Sequence, residues 1–159
     1  MLNKWEKNMI IRKMTETEAK EICSWEYNSE YSIYNIGGWN KALNDNWAIT
    51  NMIKREEQFR SVCNDNNKLI GYFRIIKNKD KIKLGLGLHP NLCGLGLGKE
   101  FLLNILDYNE VKNKVIELEV REFNKRALKC YEKVGFKIID KNKDFILMSL
   151  NNKKSSFLI

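Results

Sequence analysis

The stretch Leu84–Glu100, LGLGLHPNLCGLGLGKE, constrains this chain more than any other. Five glycines, at 85, 87, 94, 96 and 98, fall within fifteen residues and surround the chain's single proline and single histidine. Glycine inside a strand or helix is destabilising by roughly 0.5–1 kcal/mol relative to alanine, so such density marks a backbone that something approaches closely. Read as a strand, IKLGLGLHP sends Leu84, Leu86 and Leu88 to one face and leaves the other bare at Gly85 and Gly87. Two explanations compete there: an element packed close above the glycines, or a ligand. Further on, Gly94, Gly96 and Gly98 lead into a helix with Leu102, Ile105, Leu106 and Tyr108 on its apolar side. Amides at such a helix start, with the positive end of the helix dipole, suit an anion such as a phosphate. Two familiar phosphate patterns fail. The dinucleotide pattern GxGxxG meets Lys99 where its last glycine belongs, and the P-loop pattern meets Cys93 at its first glycine and Glu100 after its lysine.

A length of 159 residues predicts one domain, 1–159, able to bury a core without disulfides or metals. Hydrophobic residues at 43% and charged residues at 30% are ordinary for a globular chain, and no apolar run approaches the ~20 residues of a membrane span. The amino terminus MLNKWEKNMIIRKM has no apolar core of a secretory signal. Cys23, Cys63, Cys93 and Cys130 lie far apart with no CxxC, which predicts reduced thiols in a cytoplasmic protein and no metal site. The net charge of +8 comes from 28 basic residues spread through every segment. Spread charge attracts an anionic ligand, a polyphosphate cofactor or RNA, without the stripe of a dedicated nucleic-acid binder. His89, before a proline, predicts a turn or strand end rather than catalysis.

The order of elements is legible. MIIRKM predicts a strand, and TETEAKEICSW a helix opened by a threonine with glutamates in its first turn. From Tyr27 to Asn46 the pattern dissolves into aromatics, asparagines and two glycines, and WAITNMIKREE predicts a short helix. QFRSVCN and KLIGYFRIIKN, separated by DNN, predict a hairpin, and NKDK a turn into the glycine strand. In KVIELEVRE, Ile116, Leu118 and Val120 alternate with Glu117, Glu119 and Arg121.

The next segment, FNKRALKCYEKVGFKII, carries the spacing N-x-x-A-x-x-x-Y-x-x-x-G-F, filled by Asn124, Ala127, Tyr131, Gly135 and Phe136. This resembles the last motif helix of the GNAT superfamily of acetyl-CoA-dependent N-acetyltransferases. That superfamily has a turn of form Q/R-x-x-G-x-G/A, similar to Cys93 through Gly98 here, with Cys93 as the departure. The resemblance runs from about Ile10 to Leu150 and is most specific from Leu84 to Phe136; LEVRxxNxxAxxxYxxxGF is similar to the branch that acetylates the amino terminus of ribosomal proteins. It implies an α/β (α+β) GNAT fold: a central, mixed, mostly antiparallel twisted sheet of about seven strands with helices on both faces. It also implies acetyl-CoA as cofactor. The pantetheine arm then lies beside strand Ile82–Pro90 where that strand parts from Lys114–Arg121, bonding the backbone of Leu86, Gly87 and Leu88. The diphosphate rests on the amides of Gly94, Leu95, Gly96, Leu97, Gly98 and Lys99.

Asn124 and Tyr131 are seven residues apart, close to two helical turns, and so share one side of their helix. The resemblance implies cofactor contact for Asn124 and proton donation to the departing thiolate for Tyr131. Read by their residue types alone, they are an N-cap and a core aromatic. Glu119 is the candidate base, directly or through water; the alternative is a glutamate on a solvated strand face. A strand amide near Leu88 would face the oxyanion. The aromatic segment Cys23–Trp47 is the implied wall of the acceptor site, with Trp25, Tyr27, Glu30, Tyr31, Tyr34 and Trp39 around a cationic amine. Alternatively these rings fill core gaps. The expected function is transfer of acetyl from acetyl-CoA to an amine, either a protein N-terminal amine or a small molecule such as a polyamine, amino sugar or drug. A reading of another class is a non-catalytic acyl-CoA-binding or RNA-associated module. A monomer or homodimer is expected, and the NNKKSSFLI tail either docks on a neighbour or frays.

Overall fold

The computed structural model describes residues 8–153; the first seven residues of the amino-terminal segment and the last six of the tail lie outside them. Seven strands form one sheet: β1 (Ile10–Lys13), β2 (Phe59–Cys63), β3 (Leu69–Asn78), β4 (Lys81–Leu88), β5 (Val115–Arg121), β6 (Lys137–Lys141) and β7 (Phe145–Asn151), in the order β1-β2-β3-β4-β5-β7-β6. The sheet is mixed, with β4 and β5 parallel. A parallel pair needs a long crossover, here the segment between Leu88 and Val115 that carries a helix. Contacts divide the chain into two compact units, Met1–Arg74 with Leu86–Leu95 and Ile75–Gly85 with Gly96–Ile159.

In the first unit, β1 pairs antiparallel with β2 from Ile10↔Cys63 to Lys13↔Arg60, and β2 with β3 from Phe59↔Arg74 onward. Helix α1 (Glu16–Cys23) starts where the sequence predicts. The Thr15 hydroxyl accepts from the Glu18 N–H at 3.1 Å, and the Glu18 carboxylate accepts from the Thr15 N–H at 3.0 Å, a complete capping box. Ala19, Ile22 and Cys23 on α1 are buried with Met14, Trp25, Ala42, Ile49 and Phe59 in the core of this unit. The segment after Tyr27, patternless in sequence, is ordered as a 3-10 turn (Ser29–Tyr34) and helix α2 (Trp39–Asn44). A 3-10 turn has no 3.6-residue period to read. A second 3-10 turn, Ala48–Thr50, precedes α3 (Met52–Gln58), whose start is capped by Asn51.

In the second unit, β4 pairs with β5 from Lys81↔Val115 to Lys83↔Glu117, and β7 lies antiparallel to both β5 and β6. Ile82, Leu84, Ile116, Leu118, Val120, Ile146 and Met148 are buried, as strand alternation predicts. Helix α4 (Gly98–Leu106) buries Phe101, Leu102, Ile105 and Leu106; Tyr108, expected on its apolar side, lies in the turn beyond its end. Helix α5 (Lys125–Val134) begins at Asn124 and ends at Gly135, whose φ of 117° is open to glycine at little cost. The Gly135 and Phe136 N–H groups both return to the Tyr131 carbonyl, closing the helix end.

Candidate active site

The end of β4 is bracketed by aromatic rings of its own unit. Tyr72 on β3 lies over Gly87: a Cβ built there would meet the ring at 2.4 Å. The Trp25 ring is 6.0 Å from Tyr72 and 5.0 Å from His89, centroid to centroid. Tyr27 donates its hydroxyl to the Leu88 carbonyl at 2.8 Å and stands edge-on to Tyr34. Burial pushes the Tyr27 phenol well above its ordinary value, and the Tyr72 phenol up to about 12. His89 accepts the Asn91 N–H on Nδ1 at 3.1 Å and so caps the turn Pro90–Leu92.

Of the other residues in the aromatic segment, Trp25 is buried in the core, with Nε1 unpaired among the described residues. Trp39 is half-buried against that core with the Lys20 ammonium 5.4 Å over its ring. Tyr31 and Tyr34 are half-buried, and Glu30 is exposed. Tyr27 thus reaches β4 while packing against the same core as Trp25 and Trp39.

Beyond β4 the chain turns through Gly94 and Gly96, both at φ 78°, a left-handed conformation that side chains adopt only with strain. A Cβ on Gly96 would meet open space. Cys93 folds back, its thiol 3.8 Å from the Leu88 carbonyl and 3.6 Å from that of His89, so the residue at the departure from the family pattern is satisfied by its own strand end. Leu95 and Lys99 are exposed, while Leu97 is buried just before α4 and gives that helix no side-chain cap. Its amino-terminal amides keep their donors for another acceptor. Leu86, Gly87 and Leu88 are all half-buried.

In the second unit, Gly98 admits α5: a Cβ there would lie 3.3 Å from the Cys130 thiol. Asn124 accepts the Ala127 N–H on its side-chain oxygen at 3.1 Å, so it caps α5 whatever else it does. Tyr131 is half-buried, its ring 5.8 Å from that of Phe136. Glu119 is exposed and ion-paired with Lys83 at 3.2 Å, as Glu117 is with Lys81. These pairs cross from β5 to β4 on the face opposite the buried leucines.

The residue that sequence reasoning missed is Tyr72, and a signal for it existed. Counting back from the two-residue turn Lys79–Asp80 sets Tyr72 opposite Gly87, and the bond from the His89 N–H to the Ile70 carbonyl at 2.8 Å keeps the same count.

No curated protein sequence matches the chain. Solved structures do. A chimera of the spermidine N-acetyltransferase SpeG from Vibrio cholerae and hSSAT is similar at 19% identity and TM-score 0.71, over 91% of this chain and 95% of that one. The Campylobacter jejuni N-acetyltransferase PseH, in complex with acetyl coenzyme A, is similar at 18% identity and TM-score 0.65, over 92% and 100% of the two chains. An acetyltransferase of the GNAT family from Bacillus anthracis is similar at 16% identity and TM-score 0.69, over 92% and 96%. At such identities the likeness is one of fold. The family model described as acetyltransferase (GNAT) matches residues 19–136, which takes in the last turn of α1, β4, the glycine turn and α5. The chain belongs to the acetyltransferase (GNAT) family.

Proposed function

We propose that this protein is an acetyl-CoA-dependent N-acetyltransferase whose acceptor is a small amine. The observation that carries the cofactor reading is the turn before α4: two glycines at φ 78°, open space at Gly96 and a helix start with no side-chain cap. A Cβ at Gly96 would fill the space an anion needs, so these residues fit a diphosphate. The amides of Gly94 to Lys99 would hold it, and the backbone of Leu86 and Leu88 would hold the pantetheine arm; the Gly87 polar groups, expected to share in this, face β3 instead. When bound, acetyl-CoA supplies the acetyl group as a thioester.

The chain's own residues have the remaining tasks. Tyr131 donates its phenolic proton to the leaving thiolate. Glu119 accepts the amine's proton, directly or through water, a role its exposed carboxylate leaves open beside the Lys83 pair. Asn124 serves the cofactor while capping α5. The exposed Glu30 and the half-buried Tyr31 and Tyr34 border the acceptor's path.

The small-amine reading is supported by likeness to the spermidine N-acetyltransferase structures. The protein N-terminal reading rests on the segment LEVRxxNxxAxxxYxxxGF alone. Coenzyme A release separates them: spermidine, an amino sugar and ribosomal amino-terminal peptides are offered in parallel with acetyl-CoA. Release with spermidine or the amino sugar and none with the peptides is expected. Release with the peptides alone would overturn the small-amine reading, and acetyl-CoA binding without release would return the chain to the non-catalytic module.

A further inference from the structure

The hydrogen bond from Tyr27 to Leu88 spans 61 residues of sequence and joins the segment after α1 to the last peptide of β4. The direction of that peptide follows from its neighbour. The His89 N–H donates to Ile70 on β3. No described peptide is cis, and in a trans peptide the C=O and the following N–H point in opposite directions. The Leu88 carbonyl is therefore turned to the edge of β4 away from β3. The N–H and C=O of one strand residue face the same edge, so the Leu88 N–H faces that edge too, as do both polar groups of Leu86 two residues earlier. Gly87 is turned to β3. The edge away from β3 thus ends in one donor, the Leu88 N–H, beside one acceptor that takes the Tyr27 hydroxyl at 2.8 Å and has the Cys93 thiol 3.8 Å away.

We propose that Tyr27 is a positioning residue for acyl transfer, holding the Leu88 carbonyl so that the Leu88 N–H is presented to the acyl oxygen. This rests on the reading of β4 as the strand along which acetyl-CoA lies. A bare carbonyl next to a developing oxyanion repels it, and an unanchored strand end can rotate its amide away; a hydroxyl donated to that carbonyl opposes both effects. Two features keep the donor in place. Burial holds the Tyr27 phenol protonated far beyond neutral pH. Its ring is braced edge-on by Tyr34, and its own N–H donates to the Asn35 side chain at 2.6 Å.

The variant Tyr27→Phe removes the hydroxyl and keeps the ring. Amide spectra of 15N-labelled protein are followed as acetyl-CoA is added. In the wild type, the Leu88 amide should move together with those of Gly94 to Lys99; in Tyr27→Phe the Leu88 response should shrink while the glycine-turn response persists. In coenzyme A release assays kcat should fall about tenfold, the size of one well-placed hydrogen bond, with both KM values within about twofold. A Leu88 amide that responds equally in both proteins would overturn the inference, as would a rise in acceptor KM alone, which would make Tyr27 a wall residue. Should Tyr27→Phe not fold, the wild-type titration still decides: glycine-turn amides that move while Leu88 does not would sink the inference and leave the cofactor reading intact. No response anywhere would remove the cofactor reading, and the inference with it.

Discussion

The ring of Tyr72 lies so close to Gly87 that a Cβ on residue 87 would stand 2.4 Å from Cε1 and 2.9 Å from Cζ. At this position the bare face of β4 is covered by a neighbouring aromatic from the adjacent strand. An aromatic laid over a cross-strand glycine is a recognised way to recover packing that glycine forfeits. Gly87→Ala forces the ring aside within a packed core and should destabilise by about 1–3 kcal/mol, a fall in Tm of roughly 2–4 °C per kcal/mol for a chain of this size. Urea unfolding of Gly87→Ala in wild-type and Tyr72→Leu backgrounds checks the cause. The cost should drop by at least about 0.5 kcal/mol when the ring is gone.

Gly96 differs from Gly87 because nothing lies within 4 Å of a Cβ built on it. Gly96→Glu should fold, at a cost of about 1–2 kcal/mol for a side chain at positive φ. The carboxylate then occupies the space before α4 and repels a phosphate. A thermal shift on adding acetyl-CoA should vanish in this variant. A shift equal to that of the wild type would remove the glycine turn from the cofactor site.

Some of this arrangement is legible in the sequence and some is not, for physical reasons. Thr15 with Glu18, Asn124 with Ala127, and Gly135 at the end of α5 are local devices whose partners lie within a few residues, so their spacing alone announces them. The alternation in β5 reports burial directly, because β5 lies between two strands and its inner face is buried at Ile116, Leu118 and Val120. The Tyr27 bond to Leu88 and the Trp25 contact with His89 join residues more than 60 positions apart, and no periodicity encodes them. Cys93 reads as a missing ligand contact in sequence, whereas its thiol turns to carbonyls of its own strand end. Tyr72 was within reach, since a two-residue turn converts its position into a cross-strand pairing.

Asn124 has a capping duty that can be separated from any cofactor duty. Asn124→Ala loses the bond to the Ala127 N–H and should destabilise by about 0.5–2 kcal/mol. Asn124→Asp keeps an accepting oxygen and should restore most of the stability. If acetyl-CoA affinity follows stability through both variants, capping is the whole role; affinity that stays low in the folded Asn124→Asp protein assigns the side-chain amide to the cofactor.

Tyr131→Phe keeps the ring beside Phe136 and removes only the proton. Proton donation typically contributes about 10²–10⁴-fold, so kcat should fall within that range with acetyl-CoA affinity unchanged. Equal kcat values would make Tyr131 a packing residue. Glu119→Gln breaks an exposed ion pair with Lys83, a loss of at most about 1 kcal/mol in stability. A large fall in kcat in that variant, without a fall in Tm, would identify the base.

Glu18 sets an acid limit on stability. Burial raises its carboxyl, but hydrogen bonds from the Thr15 N–H and hydroxyl together with the Arg12 guanidinium at 2.8 Å more than offset this, leaving it below its ordinary value. A carboxyl lowered on folding adds stability above its unfolded pKa, and that stability is lost as pH falls through the folded value. Wild-type Tm should therefore fall more steeply below about pH 4.5 than that of Glu18→Gln, which has no carboxyl to protonate. Parallel profiles would show that Glu18 is not coupled to folding.

Acetyl-CoA binding and use test the central claim most directly. A ligand at 100 times its dissociation constant stabilises by about 2.7 kcal/mol, a rise in Tm of roughly 5–10 °C here. The wild-type protein, melted with millimolar acetyl-CoA and then assayed for coenzyme A release with spermidine, an amino sugar and ribosomal amino-terminal peptides, should show that rise and release coenzyme A with at least one amine. An unchanged Tm and no release with any acceptor would contradict it.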